Sequence, residues 1–251
     1  MLWVIQDIGA RPYQEDRYSN HLGFWGNLDY FAVFDGHGDD KVSSFLESHF
    51  KDLLKFELDN YFPDLSIEQC LYKAFADLAN LLPREMAMNS GSTAVVIIKD
   101  KKTLYIANVG DSRVIINNNK KAVPISEDHK PSDKAEYDRI VKLGGRVIID
   151  PYGTARVNGT LAVSRAVGDF YLSPYVSGLP DIYTVKLIKA NKYLIAATDG
   201  LWDVFDNQEL VNLIEAMMEN DEDIDSICQK ILTFSRIKGS GDNITILFIM
   251  L

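Results

Sequence analysis

Cysteine is nearly missing from this chain: among 251 residues only Cys70 and Cys228 occur. Two thiols cannot build a disulfide framework, and each falls in a helix-like apolar pattern where a small buried hydrophobe is the ordinary role. A reducing compartment fits that usage. Neither cysteine has an arginine six positions later, and they follow Gln69 and Ile227 rather than a histidine, which excludes chemistry on a Cys-x5-Arg thiolate loop. Long apolar runs are absent too: none approaches the ~20 residues of a membrane-spanning helix. No leader pattern precedes the first strand, and Leu2 stands where N-myristoylation requires glycine. Membrane attachment is therefore not expected, and the expected compartment is the cytoplasm, with the nucleus as the alternative. Positive charge is short, 26 Lys and Arg against 36 Asp and Glu for a net −10, which argues against nucleic acid as a partner, because polyanion affinity comes from clustered cations. The four histidines show no HExxH or comparable zinc spacing.

Apolar residues, in contrast, make up 47% of the chain, enough at this length for one substantial core and a single domain over 1–251. A short strand at Leu2-Trp3-Val4-Ile5 leads into a Gly/Pro-punctuated loop where Arg11, Glu15 and Asp16 crowd together. Tyr30 to Phe34 reads as a buried strand. Val42, Phe45, Leu46, Phe50, Leu53 and Leu54 recur at helical spacing, with Asp39-Asp40 as caps. Ser66 with Gln69 makes a capping box for a second helix carrying Leu71, Phe75, Leu78 and Leu82, which Pro83 ends. β-Branched runs at 93–98, 103–109, 113–116 and 122–125 predict an antiparallel meander. Ser132 is read as the cap of a helix through Ile140, Val141 and Leu143 that Gly144-Gly145 stops. The stretch 146–180, rich in Gly, Pro and Tyr, is read as an irregular inserted flap. Strands at 182–187 and 193–197 come next, then two helices, the first opened by an Asp206/Glu209 capping box, and a closing strand from 243 to 251. Runs of strands alternate with helix pairs, which predicts an α+β fold of antiparallel sheets covered by helices rather than a doubly wound parallel sheet.

The candidate site begins at Asp35-Gly36-His37-Gly38. A buried strand has no structural need for a carboxylate at its end, and the flanking glycines let backbone pass close to a ligand. A helix cap in a strand-to-helix turn is the plainer alternative. Glu15-Asp16, Gly110-Asp111-Ser112-Arg113, Thr198-Asp199-Gly200-Leu201-Trp202-Asp203 and Gly239-Ser240-Gly241-Asp242-Asn243 also put carboxylates at strand ends or in glycine-containing loops. Each alone is commonly a turn. Several meeting at one rim would make a set of oxygen ligands suited to Mg²⁺ or Mn²⁺ rather than zinc. Asp221-Glu222-Asp223-Ile224-Asp225 only imitates an EF-hand, since Ser226 replaces the turn glycine and Leu232 the terminal glutamate.

Eight stretches in order carry a resemblance: Gln14-Glu15-Asp16, Asp35-Gly36-His37-Gly38, Gly91-Ser92-Thr93-Ala94, Gly110-Asp111-Ser112-Arg113, Asp128-His129-Lys130-Pro131, Leu161-Ala162-Val163-Ser164-Arg165-Ala166-Val167-Gly168-Asp169, Asp199-Gly200-Leu201-Trp202-Asp203 and Asp242-Asn243-Ile244-Thr245. Together they resemble the motif series of the metal-dependent PP2C-type protein serine/threonine phosphatases, the PPM family, over nearly the whole chain. The resemblance implies a four-layer αββα sandwich, two antiparallel sheets flanked by helix pairs, with two Mg²⁺ or Mn²⁺ ions in a cleft at one end. It implies that Asp35 bridges the ions, that Asp199 and Asp242 hold one, and that Glu15 and the carbonyl of Gly36 hold the other. Asp16 would orient the attacking water, and Asp111 with Asp199 and Asp203 would take a third, weaker ion. Arg11 would grip the phosphate and His37 would act as the acid. Such a centre activates water directly, so no side-chain nucleophile and no phosphoenzyme is required. The implied partner is a phosphoprotein, met by a monomer.

Gln14 stands where Asn is common before Glu15-Asp16, Asp39 stands where Gly is frequent, and Phe170 to Gly178 has its own composition. None of these removes a ligand. Two rival readings remain at this level: a catalytically silent binding module on the same fold, against which the intact carboxylates argue, and a hydrolase of small phosphate esters, which only the flap and substrate assays would separate.

Overall fold

The computed structural model describes residues 1–251. Two five-stranded antiparallel sheets are stacked face to face. One has the order β1 (Leu2–Asp7), β15 (Ile244–Met250), β14 (Asn191–Ala197), β8 (Arg113–Asn118), β9 (Lys121–Pro124). The other runs β13 (Asp181–Lys186), β7 (Thr103–Val109), β6 (Ala94–Lys99), β3 (Leu28–Phe34), β2 (Arg17–Trp25). The central strands are apolar without alternation because both of their faces are buried. In β3, Phe31 and Val33 point between the sheets, while Tyr30, Ala32 and Phe34 point outward under a helix pair. In β14, Leu194 and Ala196 face inward and Tyr193, Ile195 and Ala197 face the other helix pair. The result is the four-layer sandwich expected.

The first helix pair is α1 (Lys41–Tyr61) and α2 (Ile67–Leu81), whose Leu46, Phe50, Leu71 and Phe75 pack on the outer face of β3 and β6. The Ser66/Gln69 capping box is present in full. On the opposite side, the short α4 (Asp199–Trp202) leads into α5 (Asn207–Glu219) and α6 (Ile224–Ile237). A further helix, α3 (Lys134–Lys142), packs with a small apolar cluster of the 146–180 segment through Ile140. No helix is long and apolar enough to cross a membrane.

Several local expectations need correction. The meander is split: β6 and β7 belong to one sheet and β8 and β9 to the other, so the chain changes sheets at Gly110-Asp111-Ser112. Sheet membership follows from which face each strand offers, which a list of β-branched runs does not reveal. Strand β2 has no signature in the sequence, because an edge strand carrying Arg17, Ser19, Asn20 and His21 lacks an apolar run. The α3 N-cap is Asp133, not Ser132, and makes no side-chain cap bond. At α1, Asp39 Oδ1 receives the Lys41 N–H at 3.0 Å, whereas Asp40 pairs with Arg17 at 2.5 Å. Asp206 caps α5, but Glu209 turns to Lys238 instead of closing the box. The 146–180 segment is also less irregular than expected: β10 (Val147–Ile149) and β11 (Ala155–Val157) form a hairpin, and β12 (Val167–Gly168) joins a three-stranded ribbon with β5 (Gly91–Ser92) and β4 (Gly36–His37).

Candidate active site

The sandwich brings five chain segments to one end. Asp35 follows the last residue of β3, Asp199 opens α4 beyond β14, and Asp242 precedes β15. Asp111 lies in the crossover between β7 and β8, and Arg11 and Glu15 lie in the loop between β1 and β2. Because β1 and β14 both run antiparallel to β15, their C-terminal ends share an edge with its start. The cleft there has a volume of about 360 Å³ and is lined by Glu15, Asp35, Asp111, Asp199, Asp203 and Asp242, with Gly36, His37, Arg11, Lys130 and Arg156. Single carboxylate oxygens of Asp35, Asp111 and Asp199 all lie within 4.8 Å of one another.

The loop geometry is held by groups whose roles follow from polar satisfaction. Asn243 accepts the Glu15 N–H at 2.7 Å and donates to the carbonyls of Ile8 and Tyr13, stapling the Arg11–Glu15 loop to the start of β15. Thr93 accepts the Asp35 N–H on Oγ1 at 3.2 Å while its own N–H donates to the Asp35 carbonyl at 2.9 Å. Gly36 leaves no room for a side chain, since a Cβ there would approach the Glu15 carbonyl to 2.5 Å. Arg113 grips Asp128 through two nitrogens at 2.9 and 2.6 Å and steadies the turn that carries Lys130. His129 accepts the Gly110 N–H at 3.0 Å and holds the Asp111 turn from behind.

Six carboxylates meet only three cationic side chains in this cleft, and the electrostatics follow. Burial first, then the charges of Asp199, Asp16, Asp111 and Asp242, push Asp35 well above the ordinary carboxylate range. Burial, with Asp111 and Asp203, does the same to Asp199. Burial raises Glu15 and Asp203 as well, against the opposing pull of Arg11 on the former and Lys130 on the latter. Lys130 loses hydration by burial, yet its contact with Asp111 and the nearby Asp199 and Asp203 keep it charged more firmly than a free lysine. Carboxylates that have lost water and repel one another are stabilised by a cation, and an all-oxygen set of this kind fits a hard divalent ion.

The structure gathers Arg11, Glu15, Asp35, Gly36, His37, Asp111, Asp199, Asp203 and Asp242 at the cleft. Asp16 is placed differently. It is 1% exposed beneath the site, where Oδ2 accepts hydrogen bonds from Thr245 at 2.7 Å and Thr198 at 3.0 Å, and burial pushes its carboxyl up to about 7 despite them. Arg11 donates through Nη2 to Asp242 at 2.5 Å and remains half exposed at the rim. Sequence reasoning assigned no role to Lys130, Thr93, Asn243 or Arg156. The first three lie within the eight ordered stretches that carry the resemblance; Arg156 reaches the cleft from the β11 hairpin strand, and nothing local marks it. Finally, Nε2 of His37 lies 2.6 Å from Oδ2 of Asp169.

Comparison with known proteins gives a consistent picture. The Protein phosphatase 2C family matches residues 23–244. A rice relative, "Probable protein phosphatase 2C 56" (Oryza sativa subsp. japonica), is 42% identical over 83% of this chain and 59% of its own length. "Probable protein phosphatase 2C 6" of Paramecium tetraurelia is 32% identical over 96% of this chain and 89% of that protein. Among solved structures, a Caenorhabditis elegans sex determining protein superposes with a TM-score of 0.90 at 28% identity, covering 100% of this chain and 64% of the other. The chain thus spans about three-fifths of the length of the rice relative.

Proposed function

Given that this chain belongs to the Protein phosphatase 2C family, we propose that it is a metal-dependent protein serine/threonine phosphatase acting on phosphoserine and phosphothreonine in proteins. In this reading 1–251 is one catalytic domain and 146–180 is a flap beside the cleft. The observation that carries the proposal is the convergence of Glu15, Asp35, Asp199 and Asp242 from separate strand ends on one cleft.

Asp35, Asp199 and Asp242, with Glu15 and the carbonyl of Gly36, are the groups assigned to hold two Mg²⁺ or Mn²⁺ ions, and Asp111 with Asp199 and Asp203 a third, weaker one. The chemistry those ions supply when bound is activation of water at neutral pH and neutralisation of phosphoryl charge. The protein's own groups do the rest. Arg11 has N–H groups beyond the one engaged by Asp242 and offers a planar fork to the phosphate oxygens. Asp16, fixed by two threonine hydroxyls, is assigned the orientation of the attacking water from below. His37 donates a ring proton to the serine or threonine oxygen as the P–O bond breaks, so that a poor leaving group departs as an alcohol; such assistance contributes roughly 10² to 10⁴ in rate. No phosphoenzyme forms in this scheme.

The test is phosphate release from a phosphothreonine peptide with and without millimolar Mn²⁺. Activity that needs the metal and vanishes in chelator is expected, and full turnover in excess EDTA would sink the proposal.

A further inference from the structure

Apart from its contact with His37, Asp169 has no ionic partner. It is 2% exposed, it does not line the cleft, and it pairs with no lysine or arginine. The three-residue helical turn that follows it receives no side-chain cap bond from it. Its backbone is left-handed, at φ 48° and ψ 40°, a conformation that aspartate and asparagine adopt more readily than other residues with a Cβ.

The ribbon around it brings that side chain to His37. On β5, Gly91 is paired with His37 of β4 on one side and with Gly168 of β12 on the other. The Asp169 N–H donates to the Ser90 carbonyl at 3.0 Å, locking the turn onto β5. Gly91 must be a glycine for a spatial reason: a Cβ there would sit 2.5 Å from Nε2 of His37 and closer still to Oδ2 of Asp169. The histidine and carboxylate therefore lie directly over the bare α-carbon of Gly91, on a three-stranded bracket whose β4 follows directly on Asp35.

We infer that Asp169 is the positioning residue of His37. A carboxylate only accepts, so the ring hydrogen facing it is on Nε2, and Nδ1, which has no hydrogen-bond partner in the protein, is left for the substrate. This rests on the proposed reading of His37 as the acid. In the acid form both ring nitrogens carry a proton. As the attacking water forms its bond to phosphorus and the P–O bond to the serine or threonine breaks, the electron pair of the broken bond passes to the leaving oxygen, which takes the proton from Nδ1; the Nε2–H stays hydrogen-bonded to Asp169, and solvent returns a proton to Nδ1. Asp169 touches no reacting atom; it fixes which ring nitrogen faces the substrate and holds the ring still.

Asp169→Asn is the primary test, because asparagine matches the size and tolerates the left-handed backbone, with Asp169→Ala as the more severe variant. On a phosphothreonine peptide kcat is expected to fall by about tenfold in the first and toward the ~10²-fold loss of an acid in the second, with KM within twofold. On p-nitrophenyl phosphate, whose leaving group departs unprotonated, both should stay within about threefold of wild type. In a His37→Gln background neither variant should cause a further loss on the peptide, since the two residues act as one unit. Equal losses on both substrates, additive losses in the His37→Gln background, or near-normal peptide turnover in both variants overturns the inference. His37→Gln alone separates the two levels. If it spares p-nitrophenyl phosphate while the Asp169 variants do not, only the role of Asp169 fails. If it depresses both substrates equally, the acid reading of His37 fails and Asp169 loses its role with it.

Discussion

Arg11 shows how one side chain can serve the cleft without being buried in it. Its Nη2 donates to Asp242, which holds its charge in place against burial, and half of the side chain faces solvent. Such a group meets phosphate in the ground state and the transition state alike, so Arg11→Ala is expected to raise KM for a phosphopeptide roughly tenfold with a smaller change in kcat. Steady-state kinetics decide this, and an unchanged KM would return Arg11 to the surface. Asp35 and Asp199 lie at the other extreme, crowded and desolvated by burial and by one another. Asp35→Ala or Asp199→Ala should abolish turnover while leaving a folded chain by circular dichroism, and near wild-type activity in either variant would remove that residue from the centre. Asn243 and Thr93 offer no carboxylate, yet the Glu15 and Asp35 backbones hang on them.

At the scale of elements, α3 and the 146–180 segment are tied to the sandwich by one polar network. Glu136 is 4% exposed and faces Arg165 at 2.8 Å and Arg139 at 2.7 Å; Arg165 also meets Asp181 of β13 at 2.7 Å. Burial pulls Glu136 upward, but the two arginines win and hold it down at about 2, while His129 and Arg165 hold Asp181 at about 2. Both lie below their ordinary values of 4.5 and 3.8, so the folded state binds fewer protons there than the unfolded chain. Their stabilisation is present above about pH 4.5 and is lost as pH falls through about 2. Glu136→Gln should therefore cost on the order of 3 kcal/mol at pH 7, with the gap to wild type closing toward pH 2 in urea titrations; a gap independent of pH would rule out the ionic account. The Ser66 cap makes a smaller, pH-independent prediction. Ser66→Ala removes the bond to the Gln69 N–H and should cost ~1 kcal/mol, read from the urea midpoint.

For the molecule as a whole, the cleft is a concentration of like charge bought by the rest of the fold. Two packed sheets and two helix pairs supply the apolar burial that lets Glu15, Asp35, Asp111, Asp199, Asp203 and Asp242 coexist at one rim. At neutral pH without metal that rim repels itself, so Mn²⁺ at millimolar concentration should raise the melting temperature, by mass action on the folded state. Asp199→Asn should raise the melting temperature in EDTA, by removing one crowded charge, and should reduce the increment that Mn²⁺ adds. Thermal denaturation of the two proteins with and without Mn²⁺ checks both parts. A variant less stable than wild type in EDTA would show that the charge crowding is already relieved by Lys130.

The sequence alone determined the helix pairs, the buried strands and the carboxylates at strand ends, because those features are written locally in periodicity, capping residues and abrupt changes from apolar to acidic. Tyr30 to Phe34 running into Asp35 carries both a strand and a site in six residues. What only the tertiary structure decided depends on pairing across long separations. The meander divides between two sheets because β8 pairs with β14 rather than with β7, and β2 is a strand because β3 lies beside it, not because its own residues demand one. The partnership of His37 with Asp169 spans 132 positions and depends on the bare α-carbon of Gly91 between them. A glycine that serves to leave room looks the same in sequence as a glycine that serves to turn, and only the packed ribbon distinguishes them.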